Sequence, residues 1–177
     1  MGLIQARCSA VRYLNWSARP EMQATLRQAT AADASRVANL LIDTRAAFMP
    51  YASLAHCRED LQIWAASSLI PSGGVVVAER GGAVVAAMHT ERNGLVSWIT
   101  QMAVDPAWVG QGIGSLLLAH ALRTMPRPIR LYSFQANLGA RRFYERHGFI
   151  PIEFTDGQTN EERCPDVLYE LGAATGA

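Results

Sequence analysis

The pattern of apolar and polar positions alternates between the two-residue period of strands and the longer period of helices. Short apolar runs predict strands at 24–28, 75–79, 83–90, 95–104, 129–134, 149–155 and 167–171. Apolar residues at helical spacing predict helices over 30–48, 57–68, 112–125 and 137–147. The order β-α-α-β-β-β-α-β-α-β-β predicts a mixed α/β or α+β domain.

Turn and cap residues support these divisions. Arg80-Gly81-Gly82 is a hairpin signal between two strands, and Asn93-Gly94 is a turn of the primed type. Thr30 followed by Asp33 resembles a capping box. Asn137 is a good N-cap for the last helix, and Gly148 is a good residue to end it.

The first 23 residues do not share this patterning. Their apolar runs are shorter than the core of a signal peptide, and no period is sustained. We expect residues 1–23 to be a mobile N-terminal extension or the product of a mis-assigned start. The domain is expected to span residues 24–172, followed by a short tail over 173–177.

Composition narrows the chemistry. The chain has 177 residues, which is enough for one domain. No apolar run is long enough to span a membrane. The formal net charge of +1 favours neither nucleic acid nor a membrane as a partner. All 16 basic residues are arginines, so lysine Schiff bases and a Walker phosphate loop are excluded. Three widely spaced cysteines indicate a reducing, cytoplasmic setting without disulfides or a zinc site. A nucleophilic cysteine is a weaker alternative to small buried or incidental residues.

A glycine-rich segment carries the clearest chemical signal. Gly110, Gly112 and Gly114 stand at alternate positions between a predicted strand and a predicted helix. Glycine lets the backbone approach a ligand, and the first amides of a helix favour a phosphate or pyrophosphate. A dinucleotide fingerprint would need a third glycine at Ser115, so that reading fails. A tight turn that only packs the helix onto the strand remains an alternative.

Two motifs together resemble one family. Val104-Asp105-Pro106 precedes Val109-Gly110-Gln111-Gly112-Ile113-Gly114-Ser115, and Asn137-Leu-Gly-Ala-Arg-Arg-Phe-Tyr-Glu-Arg-His-Gly-Phe149 follows at the expected interval. The pair resembles the central motifs of the GNAT-type acyl-CoA-dependent N-acetyltransferase superfamily, and the resemblance covers about residues 24–171. It implies a mixed, mostly antiparallel central sheet with a splayed parallel strand pair and about four flanking helices.

The resemblance also implies how acetyl-CoA would be held as a co-substrate, without a metal. Val109 stands where the family usually has Arg or Gln, so one polar contact is missing and binding is expected to rely on backbone amides. The implied cofactor-binding residues are Met102, Ala103 and Val104 on the central strand, Val109, Gly110, Gln111, Gly112, Ile113, Gly114 and Ser115 in the loop, and Asn137 and Ala140 on the last helix.

Catalytic roles are implied less completely. Tyr144 is the implied group at the leaving thiolate. From its spacing alone a core aromatic is the stronger interpretation, and the resemblance reverses this preference. The strand carboxylate that family members often use as a base is missing, since no acid lies between Glu91 and Asp105. Candidate bases are therefore His89, His56, Glu153 and the acidic segment 155–166. The expected acceptor-binding residues are Tyr51, His56, Glu161, Glu162 and Asp166, although a merely solvated acidic loop fits the same segment.

The implied function is a cytoplasmic N-acetyltransferase that moves the acetyl group of acetyl-CoA to a primary amine of a small molecule or peptide terminus. Three alternatives stay open: use of a longer acyl-CoA, a CoA-binding sensor or structural module without turnover, and transfer to an aminoacyl-tRNA. The sequence shows no basic stripe, which argues against the last, although scattered arginines could still contact a tRNA. Dimers are common in the family, so a homodimer is also an open alternative.

Overall fold

A computed structural model describes residues 23–52 and 56–172. The expected extension (except Gln23) and the expected tail lie outside these residues. The strands are β1 (Thr25–Gln28), β2 (Val75–Arg80), β3 (Ala83–Asn93), β4 (Val96–Val104), β5 (Ile129–Phe134), β6 (Ile150–Phe154) and β7 (Asp166–Leu171). The helices are α1 (Ala34–Phe48), α2 (Arg58–Trp64), α3 (Ile113–Thr124) and α4 (Leu138–Arg146).

The predicted element order is confirmed, and one helix differs in kind. The helix expected over 57–68 ends as α2 at Trp64 and continues as a π-helical turn over Ala65–Leu69. Short 3-10 turns precede α1 at Ala31–Asp33 and α3 at Pro106–Trp108. In the part of the chain that the structure describes, no helix is both long and apolar enough to cross a membrane.

The strands form one seven-stranded sheet in the order β1-β2-β3-β4-β5-β7-β6. Every neighbouring pair is antiparallel except β4 and β5, which run parallel. This arrangement confirms the expected mixed, mostly antiparallel sheet.

The parallel pair separates soon after it begins. Only Ser97 with Ile129 and Trp98 with Arg130 are paired, whereas β5 stays paired with β7 along its whole length. Beyond Trp98 the edge of β4 that faces β5 therefore has no strand partner. This confirms the expected splayed pair.

A bulge lies on β4 at the start of this separation. Opposite β3, Gln101 pairs with His89 and Ile99 pairs with Thr90, so Thr100 is the extra residue. A bulge bends its strand and redirects the side chain of the inserted residue. The Thr100 side chain is therefore not in the regular alternation of β4.

Helices cover both faces of the sheet. On one face α3 and α4 pack their apolar side chains, including Leu117, Leu118 and Tyr144, against β2, β3, β4, β5 and β7. On the other face α1 and the π-helical turn pack Val37, Leu40 and Leu69 against β2 to β4. The sheet is thus the middle of three layers, and its open seam between β4 and β5 can be reached from both sides.

The start of α1 depends on one buried carboxylate. Asp33 accepts hydrogen bonds from two nitrogens of Arg27, at 2.8 and 2.9 Å, and from the Thr30 amide and hydroxyl, at 2.8 and 2.9 Å. The Arg27 guanidinium and these hydrogen bonds hold the pKa of Asp33 well below its usual value, against the opposing effect of burial. The predicted capping box is confirmed here.

We expect Asp33→Ala to lower the free energy of unfolding by about 1–3 kcal/mol, because four hydrogen bonds and the helix cap are lost. The loss stays below that of a fully buried ion pair because Arg27 is 39% exposed and can rehydrate. Urea unfolding at pH 7 measures the difference. Asp43→Ala is the matched control, because Asp43 pairs with Arg58 at 3.8 Å on the surface and should matter little.

The sign of the pH dependence follows from the lowered pKa. The Asp33 carboxylate stabilises the fold fully above its unfolded pKa of about 3.9 and loses this effect as the pH falls through its lower folded pKa. The difference in free energy of unfolding between wild type and Asp33→Ala should therefore become smaller below about pH 4. A difference that grows on acidification would contradict this account.

Candidate active site

A cleft of about 1020 Å³ lies at the separation of β4 and β5. Its walls come from six parts of the chain: the end of α1, the free edge of β4, the segment 109–115 that we call the glycine loop, the second half of β5, the helix α4, and the segment 155–166 that we call the acidic loop. Since no single element forms it, the cleft exists only because the sheet opens there.

The glycine loop enters α3 with unpaired amides. Gly110 and Gly112 both have φ of +83°, in the left-handed region, and a Cβ at either would meet open space. Among the described residues, no acceptor lies against the amides of 109–115, and the first helical bond runs from the Leu116 amide to the Gly112 carbonyl at 2.9 Å. Seven consecutive donors at a helix N-terminus form a site for an anion.

Side chains of the loop hold its shape more than they line the cleft. Gln111 accepts a hydrogen bond from Arg80 at 2.9 Å and donates to the Ala107 carbonyl at 3.1 Å. The Ile113 side chain lies in the core. Arg80 also lies 4.5 Å above the Trp108 ring, at the mouth of the cleft. Gln111 and Ile113 can therefore reach a ligand in the cleft only through their amides.

The start of the loop is tied to the body of the sheet. Asp105 accepts hydrogen bonds from Arg36 at 2.6 Å and from the Ala107 amide at 2.9 Å. The Arg36 guanidinium, followed by the Ala107 amide, lowers the pKa of Asp105. Arg36 also donates to the Val84 carbonyl at 2.8 Å, which links α1 to β3.

The alternation of hydrogen-bonded pairs between β3 and β4, which we call the ladder phase, decides which β4 amides face the gap. The Asp105 amide donates to the Val85 carbonyl at 2.9 Å. By the alternation of an antiparallel ladder, the Ala103 amide also points to β3, whereas those of Met102 and Val104 point to the open side. The expectation that Ala103 offers a free amide is therefore wrong. Its side chain is buried against α1 as well.

Tyr144 lies under the cleft on α4. It is 9% exposed, and its hydroxyl donates to the Met102 sulfur at 3.8 Å. Burial raises the pKa of Tyr144 to about 12, so the phenol is neutral at pH 7. Asn137 caps α4 by accepting from the Ala140 amide at 3.1 Å, and both residues line the cleft.

Polar residues around Tyr144 on α4 make specific contacts with the sheet and the cleft. Arg141 donates to the Tyr169 hydroxyl at 3.1 Å, and that hydroxyl donates to Glu145 at 2.6 Å. Arg146 faces the cleft. These contacts fix α4 against β7 and thereby fix the position of Tyr144.

The acidic loop supplies two carboxylates to the opposite wall. Glu162 pairs with Arg45 of α1, whose guanidinium carbon lies 5.7 Å from the centre of the Phe134 ring. Asp166 is 8% exposed and accepts from Thr155 at 2.5 Å and from Asn160 at 2.9 Å. Glu162 has a cationic partner, whereas Asp166 has only neutral donors.

Three expected acceptor residues do not line the cleft. His56 and Glu161 lie 3.5 Å apart with side chains that are 54% and 72% exposed. Tyr51 packs edge-on against Phe134, with ring centres 6.2 Å apart, but does not itself line the cleft. The geometry therefore offers no argument for binding through His56 or Glu161, and Tyr51 acts on the cleft only through Phe134.

Sequence reasoning missed several residues of the cleft. Tyr132 and Phe134 stand two residues apart on β5, a spacing that places both on the face of the sheet opposite Leu131. Trp98, at the last paired position of β4 with β5, stacks on Tyr132 with ring centres 5.9 Å apart. Arg45 and Thr100 carry no local signal, because their place in the cleft depends on tertiary contacts and on the bulge.

The cofactor-binding residues of the resemblance mostly gather in one place. Nine of the implied cofactor-binding residues and the implied catalytic residue Tyr144 line the cleft. The nine are Met102, Val104, Val109, Gly110, Gly112, Gly114, Ser115, Asn137 and Ala140. Within residues 23–52 and 56–172, no group of three or more His, Cys, Asp or Glu side chains is arranged to hold a metal.

The chain belongs to the GNAT acetyltransferase family. The model of the "Acetyltransferase (GNAT) family" matches residues 39–149, which include both motifs, the splayed strands and Tyr144. This confirms the predicted family, and the protein is an acyltransferase of the GNAT type. No curated protein sequence matches the chain.

Solved structures share the fold. Apo YjaB from Escherichia coli matches with a TM-score of 0.68 and 21% identity, over 86% of this chain and 100% of that chain. PaiA N-acetyltransferase from Thermoplasma acidophilum, solved with coenzyme A, has a TM-score of 0.68 and 17% identity over 86% and 100%. The Escherichia coli ribosomal-protein-S18-alanine N-acetyltransferase has a TM-score of 0.62 and 16% identity over 88% and 97%. At these identities the likeness shows the fold alone.

We expect Asp166→Ala to loosen the acidic loop without unfolding the domain. Asp166 holds Thr155 and Asn160, and Asn160 in turn accepts from the Cys164 amide at 3.2 Å. Loss of about 1–2 kcal/mol of local stability should speed hydrogen exchange of the Cys164 amide about tenfold. Asp156→Ala is the control, because Asp156 accepts only from the Gln158 amide. Equal exchange in both variants would contradict the assigned role.

Proposed function

We propose that the protein transfers the acetyl group of acetyl-CoA to the nitrogen of a primary amine, on a small molecule or a peptide terminus. The amine attacks the thioester directly while both substrates are bound. The observation that carries the proposal is the row of unpaired amides at the start of α3, which lies in the same cleft as the gap between β4 and β5.

The glycine loop is suited to the pyrophosphate of CoA. Its amides point outward at the positive end of the α3 dipole, and their free hydrogens match the oxygens of a diphosphate. The left-handed conformation at Gly110 and Gly112 turns successive amides towards the same side. Val109 offers no polar side chain, so the main chain supplies this contact.

The gap in the sheet is suited to the pantetheine arm and the thioester. The Met102 and Val104 amides point into it by the ladder phase, and no β5 residue uses them. An arm bound along this edge would extend β4 much as a neighbouring strand does. One free amide would then face the thioester carbonyl oxygen, where negative charge develops during attack.

Tyr144 is placed to assist the leaving thiolate. Because its pKa is about 12, the phenol keeps its proton and donates a hydrogen bond. Complete transfer to a thiolate of ordinary pKa, about 8.5, would be uphill by about 5 kcal/mol. Its contribution is therefore stabilisation of the thiolate by a hydrogen bond, which leaves the proton of the amine to another group.

The other side of the gap is suited to the amine. Phe48, Met49 and Phe134 give this wall an apolar surface, and Asp166 gives it a carboxylate without a cationic partner. Such a wall favours a cationic amino group on a partly apolar body. A CoA-binding module without turnover is the second candidate, favoured by the missing carboxylate on β4.

Gly112→Asp should abolish tight CoA binding, because its carboxylate would lie among the amides that we assign to the pyrophosphate. We expect affinity to fall at least about 30-fold, measured by calorimetry. Gly82→Asp controls for backbone strain, since Gly82 has a similar φ of +78° and equally open space. If a folded Gly112→Asp protein binds CoA within threefold of wild type, the loop assignment is wrong.

Tyr144→Phe should lower kcat about 10- to 100-fold while the Kd of CoA stays within about threefold. The assay follows thiol release from acetyl-CoA with phenethylamine, putrescine and a short peptide as acceptors. Tyr169→Phe loosens the contacts that hold α4 against β7 but keeps the Tyr144 hydroxyl, so it measures how much of the loss comes from displacement of α4. Wild type that binds CoA but acetylates none of these amines would favour the binding module.

A further inference from the structure

A chain of hydrogen bonds runs from the cleft into the core. The Thr100 hydroxyl oxygen lies 2.5 Å from Nδ1 of His89, and the Ser72 hydroxyl oxygen lies 2.9 Å from Nε2 of the same ring. Ser72 donates to the Leu69 carbonyl at 2.6 Å. His89 itself is 7% exposed, whereas Thr100 is exposed and lines the cleft.

The innermost hydrogen bond, from the Ser72 hydroxyl to the Leu69 carbonyl, fixes the direction of every other hydrogen bond in this series. The Ser72 hydroxyl has one hydrogen, and the Leu69 carbonyl can only accept, so that hydrogen points to Leu69. Ser72 must then accept from His89, which places the His89 proton on Nε2. Nδ1 is left with its lone pair towards Thr100, so the Thr100 hydroxyl donates to His89. The lone pairs of the Thr100 oxygen remain for a donor in the cleft.

The bulge explains why Thr100 occupies this place. Thr100 is the extra residue between Gln101, which pairs with His89, and Ile99, which pairs with Thr90. It lies two residues beyond Trp98, where β4 loses β5, and two residues before Met102. At about 3.3 Å per residue, it is roughly 6–7 Å along β4 from the Met102 amide. An amine nitrogen between them could contact Thr100 while it attacks a carbonyl held at Met102.

The carboxylates that line the cleft already have partners within the protein. Glu162 is neutralised by Arg45, and Asp166 already accepts from Thr155 and Asn160. His56, Glu153 and Glu161 do not line the cleft. Neutral imidazole with a free lone pair is a good base near neutral pH.

We propose that Thr100 and His89 form the proton relay of the acyl transfer. This inference rests on the proposed function. The bound ammonium first gives a proton to the Thr100 oxygen, while the Thr100 hydroxyl proton moves to Nδ1 of His89. The neutral nitrogen then uses its lone pair to form a bond to the thioester carbon. The carbon–sulfur bond breaks, its electron pair leaves with sulfur as a thiolate that Tyr144 stabilises, and the remaining excess proton on nitrogen passes to this thiolate. The proton returns to solvent through Thr100 after the amide product leaves.

The surroundings of His89 keep it neutral before the reaction. Burial lowers the pKa of His89 below its usual value of about 6.5, and Glu91 on the same strand opposes this effect. Its neighbours on β4, Thr100 and Gln101, and Ser72 beyond the π-helical turn are uncharged. In this relay Thr100 touches the substrate, and His89 acts through it.

Three variants separate proton transfer from positioning. Thr100→Val removes the hydroxyl while it keeps the branched shape, and we expect kcat to fall about 100-fold. Thr100→Ser restores the hydroxyl and should keep at least a third of wild-type kcat. His89→Asn offers an oxygen near the position of Nδ1 that can accept from Thr100 but cannot take a proton, so kcat should again fall about 100-fold. Thr90→Val is the control, since its hydroxyl bonds Gly74 outside the cleft.

The pH profile gives a readout that packing alone would not change. At saturating acetyl-CoA and phenethylamine, wild-type kcat should rise with pH through one ionisation below about pH 6.5, and this limb should be absent in His89→Asn. The Kd of CoA should stay within about threefold in every variant. Thr100→Val and His89→Asn with wild-type kcat and an unchanged profile would overturn the relay while leaving the proposed function intact. Wild type inactive towards all acceptors would overturn both.

An NMR measurement on wild type avoids any variant that fails to fold. Imidazole nitrogen shifts at pH 7 should show His89 neutral, protonated at Nε2 and unprotonated at Nδ1. A proton on Nδ1 would overturn the relay whatever the activity of the protein, because Thr100 could not then donate to it.

Discussion

The separation of β4 from β5 is the constraint on which the site depends. Two parallel strands that stayed paired would use every main-chain group along their common edge. Here pairing ends after Trp98 and Arg130, while β5 remains fully paired to β7. The free edge of β4 has lost a strand partner, and a ligand that mimics a strand can restore those hydrogen bonds. The glycine loop begins a few residues after this edge ends, so the anion site and the gap act on one ligand.

Much of this arrangement could be predicted because its determinants are local. The element order follows from hydrophobic periodicity, and the cap residues Thr30, Asn137 and Gly148 lie where the helices begin or end. The glycine loop was identified correctly as a strand-to-helix turn, since positive φ at Gly110 and Gly112 is a backbone requirement written in the sequence. The two motifs then determined the family.

The rest depends on contacts between distant segments. The direction of the Ala103 amide depends on the ladder phase with β3, which no pattern within β4 reveals. The acidic loop was expected to bring several acids to the acceptor, but Glu161 pairs with His56 at the surface and Glu162 pairs with Arg45 of α1. The position of Thr100 depends on a bulge defined only by its pairing with β3. Long-range pairing thus decides which polar groups reach the cleft.

The most direct test of this account is amide hydrogen exchange, followed by NMR, in the free protein and with saturating acetyl-CoA. The account predicts that acetyl-CoA slows exchange at least tenfold for the amides of Met102 and Val104 and for those of 109–115, and leaves the Ala103 amide nearly unchanged because it is already bonded to β3. Protection confined to other segments, or none at all, would contradict the claim that the open edge of β4 and the glycine loop hold one ligand.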